Sequence, residues 1–181
     1  MNLLVIGNGF DLAHGFQTRY TDFLKYCKEY RNCNPISNVE DMNQEFENFI
    51  ADNIWLKYFL SITNLDDDRT WIDFEQEIAK IVNSAESNPP DIFINKVSAE
   101  ETQISIRYAS DELEKFYLTF EKQDLENGID GRFLKITLNI KGIDCLTSFI
   151  EYIYQELRGF SRALEIYCLY INKTELTAPV V

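Results

Sequence analysis

Leu3-Leu4-Val5-Ile6 is a continuous apolar run stopped by Gly7, and it constrains the fold more than any other segment. A short run that is apolar on both faces suits a central parallel strand, which needs a neighbour on each side. The rest of the chain is mostly helical in pattern. Tyr20, Phe23, Leu24, Cys27 and Tyr30 recur at helical spacing, with Thr18 or Thr21 as the expected cap. A second helix is expected from about Val39 to Phe59, with Met42, Phe46, Phe49, Ile50 and Trp55 inward. A third, capped by Thr70, carries Trp71, Phe74, Ile78 and Ile81. Ser84 to Asp91, with Pro89-Pro90, breaks the pattern as a loop or subdomain junction. A further helix is expected near Ser110 to Gln123. Asp144 to about Asn172 reads as a long helix whose inward stripe is Leu146, Phe149, Ile150, Ile153, Tyr154, Leu157, Phe160, Leu164 and Tyr167, with Gly159 as a bend or break.

Only Leu134, Ile136, Leu138 and Ile140 alternate clearly enough to predict another strand. One strand cannot flank a buried parallel strand on both sides. The remaining strands are therefore expected beyond Val181, in a longer protein of which this chain is the amino-terminal part. The expected fold class is α/β: a small, Rossmann-like parallel sheet with a large, mainly helical insertion, predominantly α over these residues. One domain is expected over 1–181, with a strand-turn-helix element at 1–31 and a mainly helical region at 38–172.

Composition narrows the function. With 181 residues, 45% hydrophobic and 14% aromatic, the chain can bury a core without disulfides or metal, and disorder is excluded. Its 17 basic against 30 acidic side chains leave a net charge of −13, which repels phosphate backbones and anionic membranes. No nucleic-acid or membrane partner is expected. Cys27, Cys33, Cys145 and Cys168 form no CxxC pair and His14 is the only histidine, so no metal site is expected. The thiols read as reduced and mostly buried, in a cytoplasmic protein. The amino terminus lacks the basic start of a signal peptide.

Chemistry concentrates at Gly7-Asn8-Gly9-Phe10-Asp11-Leu12-Ala13-His14-Gly15. A buried strand, a Gly-x-Gly turn and a helix start form the geometry that accepts a phosphate on free backbone N–H groups. Leu12 stands where the dinucleotide fingerprint has its third glycine. Asp11 suits ribose hydroxyls or a turn cap better than a pyrophosphate. Asn8 can hold a ligand amide or take a left-handed turn, and His14 is either an acid-base group or a helix-end hydrogen bonder. Thr18, Tyr20 and Asp22 can close over a ligand, or serve as cap and core. A second candidate is Trp71-Ile72-Asp73-Phe74-Glu75. Its carboxylates are suited to acid-base or Mg²⁺ chemistry, or simply form the acidic start of an amphipathic helix.

The ordered series from Ile6 to Gly15, followed by Thr18, Tyr20, Asp22 and Phe23, resembles the opening signature of the AbiH family of bacteriophage abortive-infection proteins. Trp71 to Glu75 is similar to that family's second block, whereas Ser84 to Gly142 carries no motif of it. The family's downstream Asn-Tyr-Thr and His-x-His-Gly segments, similar to those of sirtuin-like NAD-binding domains, do not occur in this sequence. The resemblance implies a bacterial anti-phage protein with a Rossmann-like domain that binds NAD or a related nucleotide. Gly7, Asn8, Gly9, Phe10, Asp11, His14, Thr18, Tyr20 and Asp22 would form the nucleotide-facing set, with no catalytic residue assigned. Hydrolysis would belong to a longer form, leaving this chain inactive in that reaction. The alternative is a non-enzymatic helical module that senses a phage component or binds a basic protein, its glycine turn purely structural.

Overall fold

The computed structural model describes residues 19–32, 40–67, 72–98, 101–108, 110–120, 123–124, 133–138 and 142–176. They fall into two compact units, Met1–Ile72 with Arg158–Val181, and Asp73–Leu157.

Helices dominate the first unit. Helix α1, Tyr20–Asn32, forms where Phe23, Leu24 and Cys27 share one fully buried face. It is followed by α2, Glu40–Ile50, and α3, Ile54–Ile62. The single helix expected from Val39 to Phe59 is thus two. Asn53 divides them: it lies in extended backbone, and its Oδ1 accepts the Leu56 N–H at 3.0 Å, the N-cap of α3. An asparagine that satisfies the first turn of one helix ends the preceding one. Ile54, Trp55, Leu56, Tyr58 and Phe59 are all buried, so α3 is apolar nearly all round.

The last helix, α6, runs Leu146–Leu176, and its residues from Arg158 onward belong to this first unit. It presents Phe160, Ala163, Tyr167 and Ile171, all buried. The rings interlock: Phe160 lies 5.0 Å from Phe59 and 5.6 Å from Phe23, and Tyr167 lies 5.4 Å from Phe23. Gly159 does not break the helix. A Cβ there would stand 3.3 Å from Phe49 Cδ1 and 3.5 Å from Asn53 Nδ2. The glycine serves close approach of α6 to the α2–α3 junction.

The second unit combines α4, Phe74–Ser87, and α5, Asp111–Tyr117, with four strands and the start of α6. Strands β1, Asp91–Lys96, β2, Thr102–Arg107, β3, Gln123–Asp124, and β4, Phe133–Leu138, lie in the order β1-β2-β4-β3. Every pairing among them is antiparallel. The parallel sheet expected around Leu3–Ile6 is not what the described residues build, and Leu3–Ile6 itself lies outside them. The strand expected over Leu134–Ile140 is β4 as far as Leu138, and Ile140 lies outside the described residues. Strands β1, β2 and β3 go beyond that expectation. Thr102, Ile104 and Ile106 are buried and alternate with more exposed Gln103, Ser105 and Arg107, the period-two pattern of a one-sided strand.

Ile104, Ile106 and Leu134 are fully buried, as are Leu113 of α5 and Phe149 of α6. Thr102 Oγ1 donates to the Ile143 carbonyl at 2.8 Å, which ties the sheet to the chain just before α6. Gly142 there takes a φ of 88°, where a Cβ is disfavoured. The stripe expected on the first half of α6 is only partly inward: Phe149 is buried, whereas Leu146, Ile150 and Tyr154 are exposed. The break expected at Ser84 comes later, after Ser87.

Candidate functional site

Of the nucleotide-facing set, Gly7, Asn8, Gly9, Phe10, Asp11, His14 and Thr18 lie outside the described residues. Tyr20 and Asp22 are described, and both are half-buried in the first turn of α1. The Arg19 N–H donates to Asp22 Oδ2 at 3.2 Å, while the Arg19 carbonyl accepts from the Asp22 and Phe23 N–H groups. Asp22 thereby supplies the reach-back half of a capping box, with its negative charge at the positive end of the helix. Thr21, one of the two expected caps, is instead inside the helix.

Behind Asp22 stands an aromatic wall. Tyr26 packs 5.1 Å from Tyr167, 5.8 Å from Tyr170 and 5.6 Å from Phe46. Tyr30 lies 5.2 Å from Phe46. Burial pushes the Tyr26 hydroxyl up to about 12, with Tyr170, Tyr30 and Cys27 adding to it. Burial also raises Tyr167, and the nearby charges of Asp22, Cys168, Cys27 and Tyr26 raise it further. These phenols stay neutral at pH 7, so they pack and hydrogen-bond but are not poised as bases. Tyr167 feels the charge of Asp22, a link between residues far apart in the chain that no local motif carries. Cys27 is buried, Cys168 half-buried and Cys145 exposed, all reduced thiols, so the expectation of mostly buried cysteines holds only in part.

Trp71 and Thr70 lie outside the described residues. Asp73 is the N-cap of α4: its Oδ1 accepts the Gln76 N–H at 2.9 Å in extended backbone. Glu75 and Glu77 occupy the first turn, and Glu77 is bonded by Lys80 at 2.6 Å. The helix therefore starts at Phe74, capped by Asp73 rather than Thr70, and Asp73 is doing capping work. No group of three or more His, Cys, Asp or Glu among the described residues is arranged to hold a metal ion. Asp73→Ala is expected to cost about 1 kcal/mol, and Asp73→Asn only a few tenths. Thermal melting checks this; an Asp73→Ala melt equal to the parent's would show that the cap is not holding the helix.

No helix among the described residues is long and apolar enough to cross a membrane. No curated protein matches the chain, and no solved structure does. The family model described as bacteriophage abortive infection AbiH matches residues 3–158. That span takes in the glycine-rich segment, Tyr20, Asp22, the Trp71–Glu75 block and the whole antiparallel sheet. The chain belongs to the AbiH family, and that membership implies a role in abortive-infection defence against phage.

Proposed function

We propose that this AbiH protein serves phage defence by binding a nucleotide, NAD or a close relative, along Gly7–Gly15. The observation that carries the reading is the unbroken signature from Gly7 to Asp22, which ends in a carboxylate fixed at the first turn of α1. Gly7 and Gly9 admit the phosphate or adenosine moiety because no Cβ stands in the way. Asn8, Asp11 and His14 make polar contacts, with Asp11 on ribose hydroxyls. Thr18, Tyr20 and Asp22 line the edge, where the Asp22 carboxylate accepts a further hydroxyl while it holds the Arg19 N–H.

The test is thermal melting against NAD, ADP-ribose, ATP and GTP. A ligand present at a hundred times its dissociation constant stabilises by about 2.7 kcal/mol, a shift of several degrees for a chain of this size. Gly9→Val is expected to abolish the shift and leave the ligand-free melt unchanged. Absence of any shift on a cooperatively melting protein would overturn the nucleotide reading. It would favour a non-enzymatic interaction module, which the exposed strand edge of the second unit supports.

A further inference from the structure

The geometry points to β1 as a self-pairing edge: two copies of this chain join antiparallel through Asp91–Lys96 about a two-fold axis at Phe93. Among the described residues β1 has a strand neighbour on one side only, β2. Its opposite side carries backbone groups in a defined phase. The Val97 N–H donates to the Glu101 carbonyl at 3.0 Å, which continues the register that sets Asn95 opposite Gln103 and Phe93 opposite Ser105. In an antiparallel pair the groups of alternate residues point to alternate sides. Asp91, Phe93, Asn95 and Val97 are thus turned to β2, and Ile92, Ile94 and Lys96 present N–H and C=O outward.

The side chains select a second copy of the same strand as the occupant. A two-fold axis normal to the sheet pairs residues whose numbers have an even sum, so each residue keeps its face. Centring on Phe93 sets Ile92 against Ile94 of the second copy, twice, on the face where Ile104 and Ile106 are fully buried. It sets Phe93 against Phe93 on the open face, where that ring is 64% exposed, and Val97, 50% exposed, against Pro89. Asp91 meets Asn95, and Lys96 meets Pro90, so no like charges stand opposite each other. Centring on Ile94 instead would keep an Ile94 pair at the axis but set Ile92 against Lys96 and Phe93 against Asn95, polar against apolar on both sides of it. A net charge of −13 opposes association in general, but this strand carries one Asp and one Lys and is locally neutral. Proline before the strand and lysine at its end blunt the two ends of the edge against indiscriminate pairing, which leaves Asp91 to Asn95 as the stretch open to a partner. An interface of one strand each is below the size of a tight dimer, so association in the micromolar range is expected.

Sedimentation equilibrium over a wide concentration range should show the 21.2 kDa chain in exchange with a species of twice that mass. Phe93→Lys puts like charges face to face at the axis and removes the aromatic pair; it should raise the dissociation constant about a hundredfold with the melting temperature unchanged. In a Cys145→Ser background, Phe93→Cys should cross-link two chains on mild oxidation. The paired residues at the axis do not bond to each other through their backbones, which places their Cα atoms about 4.5 Å apart, within disulfide reach. Asn95→Cys should not, because the two copies of that residue are four positions apart along the strands, about 13 Å. A chain that stays at 21.2 kDa throughout overturns the inference, as does a dimer that Phe93→Lys leaves intact. Equal cross-linking at 93 and 95 overturns it too. A monomer that takes up an unrelated extended peptide on this edge does the same, since the occupant is then another chain.

Discussion

Replacing Phe59 by alanine is expected to destabilise the protein by about 3–5 kcal/mol, the range for a buried phenylalanine whose cavity the surroundings only partly refill. Phe59 is fully buried on α3 and, among the described residues, meets the rings of Phe160 at 5.0 Å, Tyr58 at 5.5 Å and Trp55 at 6.2 Å. Phe160 in turn reaches Phe23, so one ring joins three helices that are distant in sequence. Collapse around the cavity is resisted because the close approach at Gly159 already seats α6 against Phe49 and Asn53. For a chain of this length the loss corresponds to a fall in melting temperature of about 10 °C. Phe59→Leu, which keeps most of the volume, should cost only about 1 kcal/mol. Parallel melts of the two variants check the assignment. A loss below about 1 kcal/mol for Phe59→Ala would mean that this aromatic core does not hold the first unit together.

The helical part of the fold was legible because burial repeats at helical spacing. Phe23, Leu24 and Cys27 on α1, and Phe160 and Tyr167 on α6, are buried as their spacing requires. Boundaries were less legible. Asn53 ends a helix through one side-chain hydrogen bond, and in sequence it is only another polar residue in an apolar stretch. The antiparallel sheet was less legible for a different reason. The doubly apolar run at Leu3–Ile6 implies parallel partners and lies outside the described residues, whereas Thr102, Ile104 and Ile106 alternate over only six residues with a threonine in the first inward place, a weak strand signal. Leu146, Ile150 and Tyr154 fit the helical period of α6 yet are exposed, because period alone does not say where a helix leaves its packing partners. At the candidate site, Asp22 and Asp73 were picked out for chemistry, and each is fixed by a backbone N–H at a helix start. A carboxylate three residues into a helix or immediately before it has both readings in any sequence, and only geometry separates them.

The second large effect is expected at alkaline pH, where the tyrosines set the limit of stability. Burial holds Tyr117 of the second unit at about 12 and Tyr26 of the first at about 12, against 10.0 for a free tyrosine, and raises Tyr30 and Tyr167 in the same direction. A phenol buried in its neutral form keeps its proton in the folded chain at a pH where the unfolded chain has already released it. Below pH 10 both states hold the proton, and these groups contribute their full stability. Above pH 10 the unfolded state gains by ionising, so stability falls as pH rises, and the contribution of Tyr117 and Tyr26 is exhausted near pH 12. For Tyr117 the span from 10.0 to about 12 is worth at most about 2.7 kcal/mol. Tyr26 contributes less because it is half-exposed and solvent screens its charge. Tyr26 and Tyr167 lie ring to ring, so a phenolate formed at Tyr26 raises Tyr167 further. Ionisation and unfolding should therefore coincide. Tyrosinate absorbance and far-ultraviolet circular dichroism are followed together from pH 8 to 13, and the last part of the rise in absorbance is expected to coincide with the loss of helical signal between about pH 11 and 12. Tyr117→Phe should shallow the decline in stability over pH 10 to 12, because a side chain without a hydroxyl has no proton to lose. Full tyrosine ionisation near pH 10 with the helical signal intact would show that these hydroxyls are open to water, and that the rings do not form the closed wall behind Asp22.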